Sequence, residues 1–503
     1  MEDQTFFLFL LLSCLFAFIY TFTISHRRHS RLPPGPYPFP IIGNLLKVGN
    51  NPHRSLAILS KQYGPLMSLK LGSKTTIVLS SPDIAKEFFH THDISFSSRS
   101  VPDTVRAADH HKFSMVWLPA GDQWRKLRKI TKEYMFSVQQ LDASELLRQE
   151  KVQEFLNHVN RCCTNEEAVN IGAAAFTTTL NILSNFMFSR DFAQYDSMSS
   201  QGFKDAVCGL MELGGKLNLP DFFPILKSLD LQGLRREGTV YANKLLSIFD
   251  KVINERLQSR RTSSSHNGDS TTKNDVLDLL LNLNQNDESE FSLNDIRHLF
   301  LALFIAGTDT TSITLEWVMT ELIRNPEKME IARFEVMKLM QNNKRSIQES
   351  DISQLTYLQA VIKETLRLHP PGPFLIPHQA INDIEVKGYI VPKNAQILCN
   401  IWAIGQDPNI WLDPQVFRPE RFLDVEIDYK GHNFELIPFG AGRRICPGLN
   451  LANRMLHVLL SSLIHKFDWK VVGYTRPQDI DMGEKFGITL QKTIPLMAIP
   501  VKR

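Results

Sequence analysis

The chain has 503 residues, a formal net charge of +3, and 22% charged against 43% hydrophobic residues, a balance that argues against a nucleic-acid partner and against a disordered chain. Its six cysteines are Cys14, Cys162, Cys163, Cys208, Cys399 and Cys446. One lies in an apolar run and two are adjacent, which fits no disulfide framework and reads as a reducing compartment.

The first predicted element is Phe6 to Ile24, FFLFLLLSCLFAFIYTFTI, which carries no charge. At ~1.5 Å rise per residue it spans roughly the hydrocarbon core of a thin bilayer. Glu2 and Asp3 precede it and no small-residue cleavage site follows, both against a cleaved signal peptide. The basic cluster His26 to Arg31 follows instead, and the positive-inside preference keeps the remaining chain cytosolic. Leu32 to Pro40 alternates prolines, which favour a stiff, extended spacer. The expected organisation is a lumenal N-terminus (1–5), a transmembrane helix (6–24), a basic stop and proline-rich hinge (25–40), and one cytosolic domain (41–503).

Short β-like pieces follow, MSLKLG (67–72) and TTIVLSS (75–81), and from about residue 122 to 370 the pattern is mostly helical. Within it Trp124 and Arg128 lie four apart, on one helical face. Arg125, Lys129 and Lys132 share a neighbouring face, read either as solvated or as a docking surface for an acidic electron donor. The polar segment 259–275 reads as a solvated loop. A long helix begins at Ser292 with a capping box to Asp295 and stops before Pro326. At about 33 residues, or roughly 50 Å, and hydrophobic on most faces, it belongs in a core. Its middle holds Ala306-Gly307-Thr308-Asp309-Thr310-Thr311. The threonines could merely bond back to the i−4 carbonyl and bend the helix. An aspartate there is harder to dismiss, because burying an unpaired carboxylate is costly. A further helix is expected over 354–369, and another over 449–467.

Between these last helices lies Phe439 to Gly448, FGAGRRICPG. Its glycines permit close approach or positive φ. Cys446 sits at the N-terminal edge of an apolar helix, where the dipole and free amides favour a thiolate. Such a thiolate suits an iron in a macrocycle. A nucleotide loop would need another glycine spacing, a nucleophilic thiol a histidine partner, and a zinc or c-type haem site more cysteines. His90, His92, His110 and His111 have no acidic or cysteine partner at metal spacing and read as ordinary polar residues.

FGAGRRICPG resembles the haem-binding signature F-x-x-G-x-R-x-C-x-G of the cytochrome P450 haem-thiolate monooxygenases, and AGTDTT resembles that family's A/G-G-x-D/E-T-T/S. The resemblance covers essentially the whole chain and implies the cytochrome P450 fold, mainly α with small β-sheets, on a single-pass N-terminal anchor. It implies haem b, with Cys446 as the axial iron ligand. Arg444, Trp124 and Arg128 are expected at the propionates, and Phe439, which opens the signature, is expected to bind the haem as well. It implies that Gly307 and the threonines open the long helix into a groove, Thr310 bonding dioxygen and Asp309 feeding protons from water. Glu364 and Arg367 match the family's E-x-x-R, with Arg421 completing a structural triad. Many relatives carry an arginine after PPGPFLIP as a further propionate contact; this chain has His378 there, expected to bind the cofactor in its place with a charge that depends on pH.

The chain has no flavin or dinucleotide fingerprint, so electrons from NADPH must come through a membrane-bound cytochrome P450 reductase. The wording is most similar to plant microsomal enzymes of the geraniol-hydroxylase-like and ferruginol-synthase-like group, which implies an endoplasmic-reticulum location and a terpenoid substrate, abietane-type diterpenoid ahead of monoterpenoid. Phe113, Ala302, Ile305, Ala306, Phe374 and Phe486 are the expected pocket residues. A phenolic or alkaloid substrate, an oxygen-independent isomerase or dehydratase, and a non-catalytic haem protein are the alternatives.

Overall fold

The computed structural model describes residues 7, 9–17, 20, 31–195, 198–265, 275–286, 291–342, 346–473 and 476–503. Along the chain run strands β1 (Leu66–Leu71), β2 (Lys74–Leu79), β3 (Ser98–Arg99), β4 (Val169–Asn170), β5 (His378–Gln379), β6 (Gln396–Cys399), β7 (Phe467–Val471), β8 (Glu484–Phe486), β9 (Leu490–Lys492) and β10 (Met497–Lys502). The main helices are α1 (Asp122–Ile130), α2 (Glu145–Asn165), α3 (Ile171–Phe188), α4 (Met198–Gly215), α5 (Leu234–Ser265), α6 (Leu293–Arg324), α7 (Thr356–Leu368) and α8 (Leu449–Lys466). Two compact units form, one of Met1–Ser100, Leu217–Gln232 and Phe374–Ile404, the other of Val101–Lys216, Gly233–Pro373 and Gly405–Arg503.

The first unit is built on one mixed sheet of order β1-β2-β6-β5-β3. β1 and β2 pair antiparallel from Leu66↔Leu79 to Leu71↔Lys74, so only Gly72 and Ser73 make the turn. Gly72 takes φ +56°, and a Cβ there would meet the Phe222 carbonyl oxygen at 2.7 Å. The β-branched run of β2 then pairs in parallel with β6, Thr76 facing Gln396.

The proline-rich segment is not the freestanding spacer that its composition suggests. Ser68 donates through its amide to the Pro34 carbonyl (2.8 Å) and through its hydroxyl to the Pro33 carbonyl (2.6 Å). Asn44 Nδ2 donates to the carbonyls of Pro36 and Tyr37. Prolines lack an N–H but keep their carbonyls, and β1 uses them as an edge partner. Of the expected membrane helix, residues 9–17 are helical, with Phe9, Leu10, Leu11, Leu12, Leu15 and Phe16 exposed. The rest of 6–24, apart from Phe7 and Tyr20, and the basic stop up to residue 30, lie outside the described residues.

The second unit is mainly helical, with the small sheets β4-β10-β7 and β8-β9. α6 begins at Ser292, whose hydroxyl accepts from the Asp295 amide, while the Asp295 carboxylate accepts from the Ser292 amide; it ends at Asn325 before Pro326. By length and composition, α3 and α6 are the described helices that could cross a bilayer, yet both are 78% buried inside the protein and are core helices. They pack against each other, with Phe188, Phe249, Phe300 and Phe304 interleaved; Phe188 and Phe300 meet edge to face at 4.6 Å. The polar segment 259–275 is not loop throughout: α5 continues to Ser265. Arg256 and Arg260, one turn apart, bind Asp275 and Asp278 at 2.7–2.8 Å. Residues 266–274 lie outside the described residues.

Candidate active site

The cysteine loop is shaped by two left-handed glycines, Gly440 (φ +73°) and Gly442 (φ +64°), where a side chain would be strained. The Cys446 amide donates to the Phe439 carbonyl at 2.9 Å and closes the loop. The Phe439 ring packs on Tyr429 at 5.5 Å. α8 starts directly behind, so the amides of Gly448 and Leu449 point at the Cys446 sulfur. The sequence reading expects these amides and the helix end to give a thiolate. In the protein alone burial wins: it pushes the Cys446 thiol up, against the opposing pull of both amides and Arg128. A cation at the sulfur is what would reverse that balance.

α1 brings its charged face to this loop. Arg128 donates to the Ile445 carbonyl. The Arg444 guanidinium lies 4.4 Å above the buried Trp124 ring and donates to the carbonyls of Met115 (3.3 Å) and Leu118 (2.5 Å). The structure thus brings Trp124, Arg128, Arg444, Phe439 and Cys446 together. Sequence reasoning missed Met115 and Leu118, which act through their backbone and leave no residue-type signal. On the neighbouring face Arg125 pairs with Asp122 at 2.8 Å, while Lys129 and Lys132 are exposed.

The middle of α6 corrects one expectation. The helix does not open at Gly307; it is unbroken from Leu293 to Arg324. Thr308, Thr310 and Thr314 each donate back to the carbonyl four residues earlier, Thr310 to Ala306 at 2.7 Å. Gly307 has a packing reason: a Cβ there would meet Leu183 Cδ1 of α3 at 2.8 Å. Ala306 is exposed although Phe304 and Thr308 beside it are fully buried, so a small side chain faces an opening in an otherwise covered helix. Ile305 is half-buried and Ala302, one turn earlier, is buried. Phe113 stacks on His298 of α6 at 5.1 Å, and His298 Nδ1 lies 3.0 Å from His110 Nδ1.

Asp309 is buried. Its Oδ2 accepts from the Thr489 hydroxyl (2.7 Å), and its Oδ1 from Gln491 Nε2 (3.3 Å) and from the Cys208 thiol (3.8 Å). Burial pushes its carboxyl up, and the three donors only partly offset this. The hairpin that supplies Thr489 also carries Phe486, half-buried, on β8.

Glu364, Arg367 and Arg421 form the expected triad. Arg367 donates twice to Glu364, both at 2.7 Å, and Arg421 Nε adds a third bond at 3.0 Å. Glu364 and Arg367 are both fully buried. Arg367 also donates to the carbonyls of Gly405 and Pro414. His378 and Phe374 belong to the first unit, both buried. His378 Nδ1 lies 2.7 Å from the Phe96 carbonyl, which only accepts, so that nitrogen carries the proton. Leu375, next to Phe374, takes φ +58°.

The residues fit a flat, iron-centred group. One sulfur lies on a glycine-hinged loop, two guanidinium groups stand beside it, and a small residue faces open space on the central helix. Among the described residues no cluster of three or more His, Cys, Asp or Glu side chains offers an alternative metal site. Comparison with known proteins gives the same direction. The family model described as Cytochrome P450 matches residues 33–497. The chain is 55% identical to cytochrome P450 76T24 of Catharanthus roseus, over 98% of this chain and 99% of that protein. It is 49% identical to a geraniol 8-hydroxylase of Catharanthus roseus, again over 98% and 99%. It is 47% identical to a ferruginol synthase of Isodon rubescens, over 98% and 99%.

Proposed function

This chain belongs to the cytochrome P450 family, and from that premise we propose that it hydroxylates a terpenoid, with an abietane-type diterpenoid preferred over a monoterpenoid. The family membership makes it a haem-dependent monooxygenase that takes NADPH-derived electrons through a reductase and uses dioxygen on a hydrophobic substrate. When bound, the haem supplies the activation of dioxygen.

In this reading Cys446 holds the iron, and the amides of Gly448 and Leu449 stabilise its charge. Arg444 and Arg128 neutralise the propionates, with Trp124 holding the Arg444 guanidinium in place. Thr310 presents a hydroxyl beside the opening at Ala306, and Asp309 is the proton source. Glu364, Arg367 and Arg421 hold the framework and take no part in the reaction. Lys129 and Lys132 dock an acidic reductase surface. The apolar helix over 6–24 anchors the chain by a single pass in the endoplasmic-reticulum membrane, with residues 1–5 lumenal and the catalytic part cytosolic.

The substrate class rests on one observation, the small side chain of Ala306 exposed on an otherwise covered α6, with Phe113 and Phe486 assigned in this reading as the aromatic walls. Ala302 behind it adds no bulk. Relatives named for geraniol and ferruginol chemistry, at 49% and 47% identity, support it. The test is a titration of the ferric protein with mono-, sesqui- and diterpenoids, following the Soret band. A shift from low to high spin with a terpenoid class supports the reading. A protein that binds haem but shifts with phenolics or alkaloids and no terpenoid refutes it.

A further inference from the structure

The buried carboxyl of Asp309 has partners whose chemistry differs in one decisive respect. Gln491 Nε2 can only donate, and the Cys208 thiol, whose pKa burial pushes up to about 12, is a weak donor. A threonine hydroxyl both donates and accepts. It can donate to a carboxylate oxygen and, after rotation of its hydrogen, accept from a carboxylic acid, with no heavy atom moving. Thr489 Oγ1, at 2.7 Å from Asp309 Oδ2, is the shortest contact on the carboxyl and lies in a buried site, where water cannot substitute for it.

The scaffold around Thr489 is rigid. Its turn, Gly487 to Thr489, joins β8 to β9, and the Ile488 amide donates to the Met211 carbonyl of α4 at 3.0 Å. Gly215 of α4 lies so close to Gly487 that a Cβ would collide with its backbone. Lys485 pairs with Glu212 at 2.7 Å. On the other side the Leu490 amide donates to the Pro371 carbonyl at 2.8 Å. Thr489 is therefore held against Asp309 by elements from both flanks.

We propose that Thr489 is a positioning residue for Asp309, its hydroxyl donating to the carboxylate and accepting from the carboxylic acid, so that the carboxyl gains and loses a proton without losing its partner. The proposal rests on the reading of Asp309 as the proton source. The charged and titratable groups that act on this carboxyl are Lys204 and Cys208 of α4 and Glu316 of α6, with Asp205 of α4 acting on Cys208. Valine removes both roles of the hydroxyl at nearly constant shape, whereas serine keeps both.

The experiment uses the purified full chain as wild type, Asp309→Asn, Thr489→Val and Thr489→Ser. The carbonyl stretch of the protonated carboxyl is followed by infrared spectroscopy against pH, and product formed per NADPH consumed is measured with reductase. Asp309→Asn identifies the band by removing it. Loss of the donor to the charged form raises the carboxyl pKa and loss of the acceptor for the acid form lowers it; the bond to the charged form is the stronger, so Thr489→Val moves the titration midpoint up by about half a pH unit to one pH unit. It also lowers product per NADPH several-fold. Thr489→Ser returns both to wild type. An unmoved midpoint in Thr489→Val overturns the proposal, as does a serine variant that behaves like valine. A moved midpoint with unchanged coupling reduces Thr489 to a structural neighbour and overturns it as well. A wild type that makes no product while the infrared midpoint still follows the Thr489 series refutes the functional reading alone.

Discussion

Replacing Glu364 by glutamine removes the single negative charge between two guanidinium groups. Glu364 and Arg367 are fully buried, and the carboxylate receives two bonds from Arg367, one from Arg421 and one from the Arg418 amide. Breaking a buried ion pair by removing one partner costs ~3–5 kcal/mol. The unfolding entropy at about 2 cal/mol/K per residue gives ~1 kcal/mol/K for 503 residues. The thermal midpoint of Glu364→Gln is therefore expected to fall by about 3–5 °C. An i,i+3 pair on an exposed helix contributes only ~0.2–0.5 kcal/mol, under half a degree on the same scale. The assay is calorimetry of both proteins at one scan rate, with Arg418→Ala as control, since the Arg418 side chain pairs at the surface with Asp413. A Glu364→Gln midpoint within half a degree of wild type would refute the burial argument.

Other expectations follow from the same geometry. Cys446→Ser is expected to lose the reduced-plus-carbon-monoxide Soret signature of a thiolate-ligated haem while keeping its far-ultraviolet dichroism; an unchanged spectrum would remove Cys446 from the iron. His369 lies on Trp317 at 4.0 Å; burial alone would lower its pKa, but its hydrogen bond to Glu321 (2.7 Å) and the nearby Glu484 carboxylate (3.9 Å) outweigh that and raise it. A raised histidine pKa stabilises the fold fully below the unfolded value near 6.5, and the gain is lost as pH rises through the folded value. Wild type should therefore lose urea stability over that window relative to His369→Gln, and parallel pH profiles would contradict this. Gly215→Ala should force the hairpin off α4 and speed amide exchange over residues 484–492; unchanged exchange would mean that the close approach is dispensable. Lys129→Glu with Lys132→Glu is expected to raise the reductase concentration needed for half-maximal turnover, most strongly at low salt, leaving the terpenoid spin shift intact.

Where the sequence was legible, the signal was local. The bounds of α6 follow from Ser292, Asp295 and Pro326 because a capping box and a proline act within one turn. The shape of the cysteine loop follows from its own glycines. What stayed hidden was set at long range. The donors to Asp309 come from 101, 180 and 182 positions away, and nothing in the residues around Thr489 announces a partner for a buried acid. The packing at Gly307 is hidden for the same reason: the side chain that comes close to it is Leu183, more than a hundred positions earlier on α3. The docking of Pro33 and Pro34 on Ser68 depends on an edge strand that composition does not reveal. The pairing of Arg256 and Arg260 with Asp275 and Asp278 spans an intervening segment and leaves no local signal.

The most direct test of the central claim is reconstitution of the full chain with a plant NADPH–cytochrome P450 reductase in membranes, under isotopically labelled dioxygen, with a panel of terpenoids. The account predicts an NADPH-dependent product carrying one labelled oxygen atom on a terpenoid skeleton, absent in Cys446→Ser. A product formed without NADPH and dioxygen, or one whose new oxygen comes from water, would contradict it.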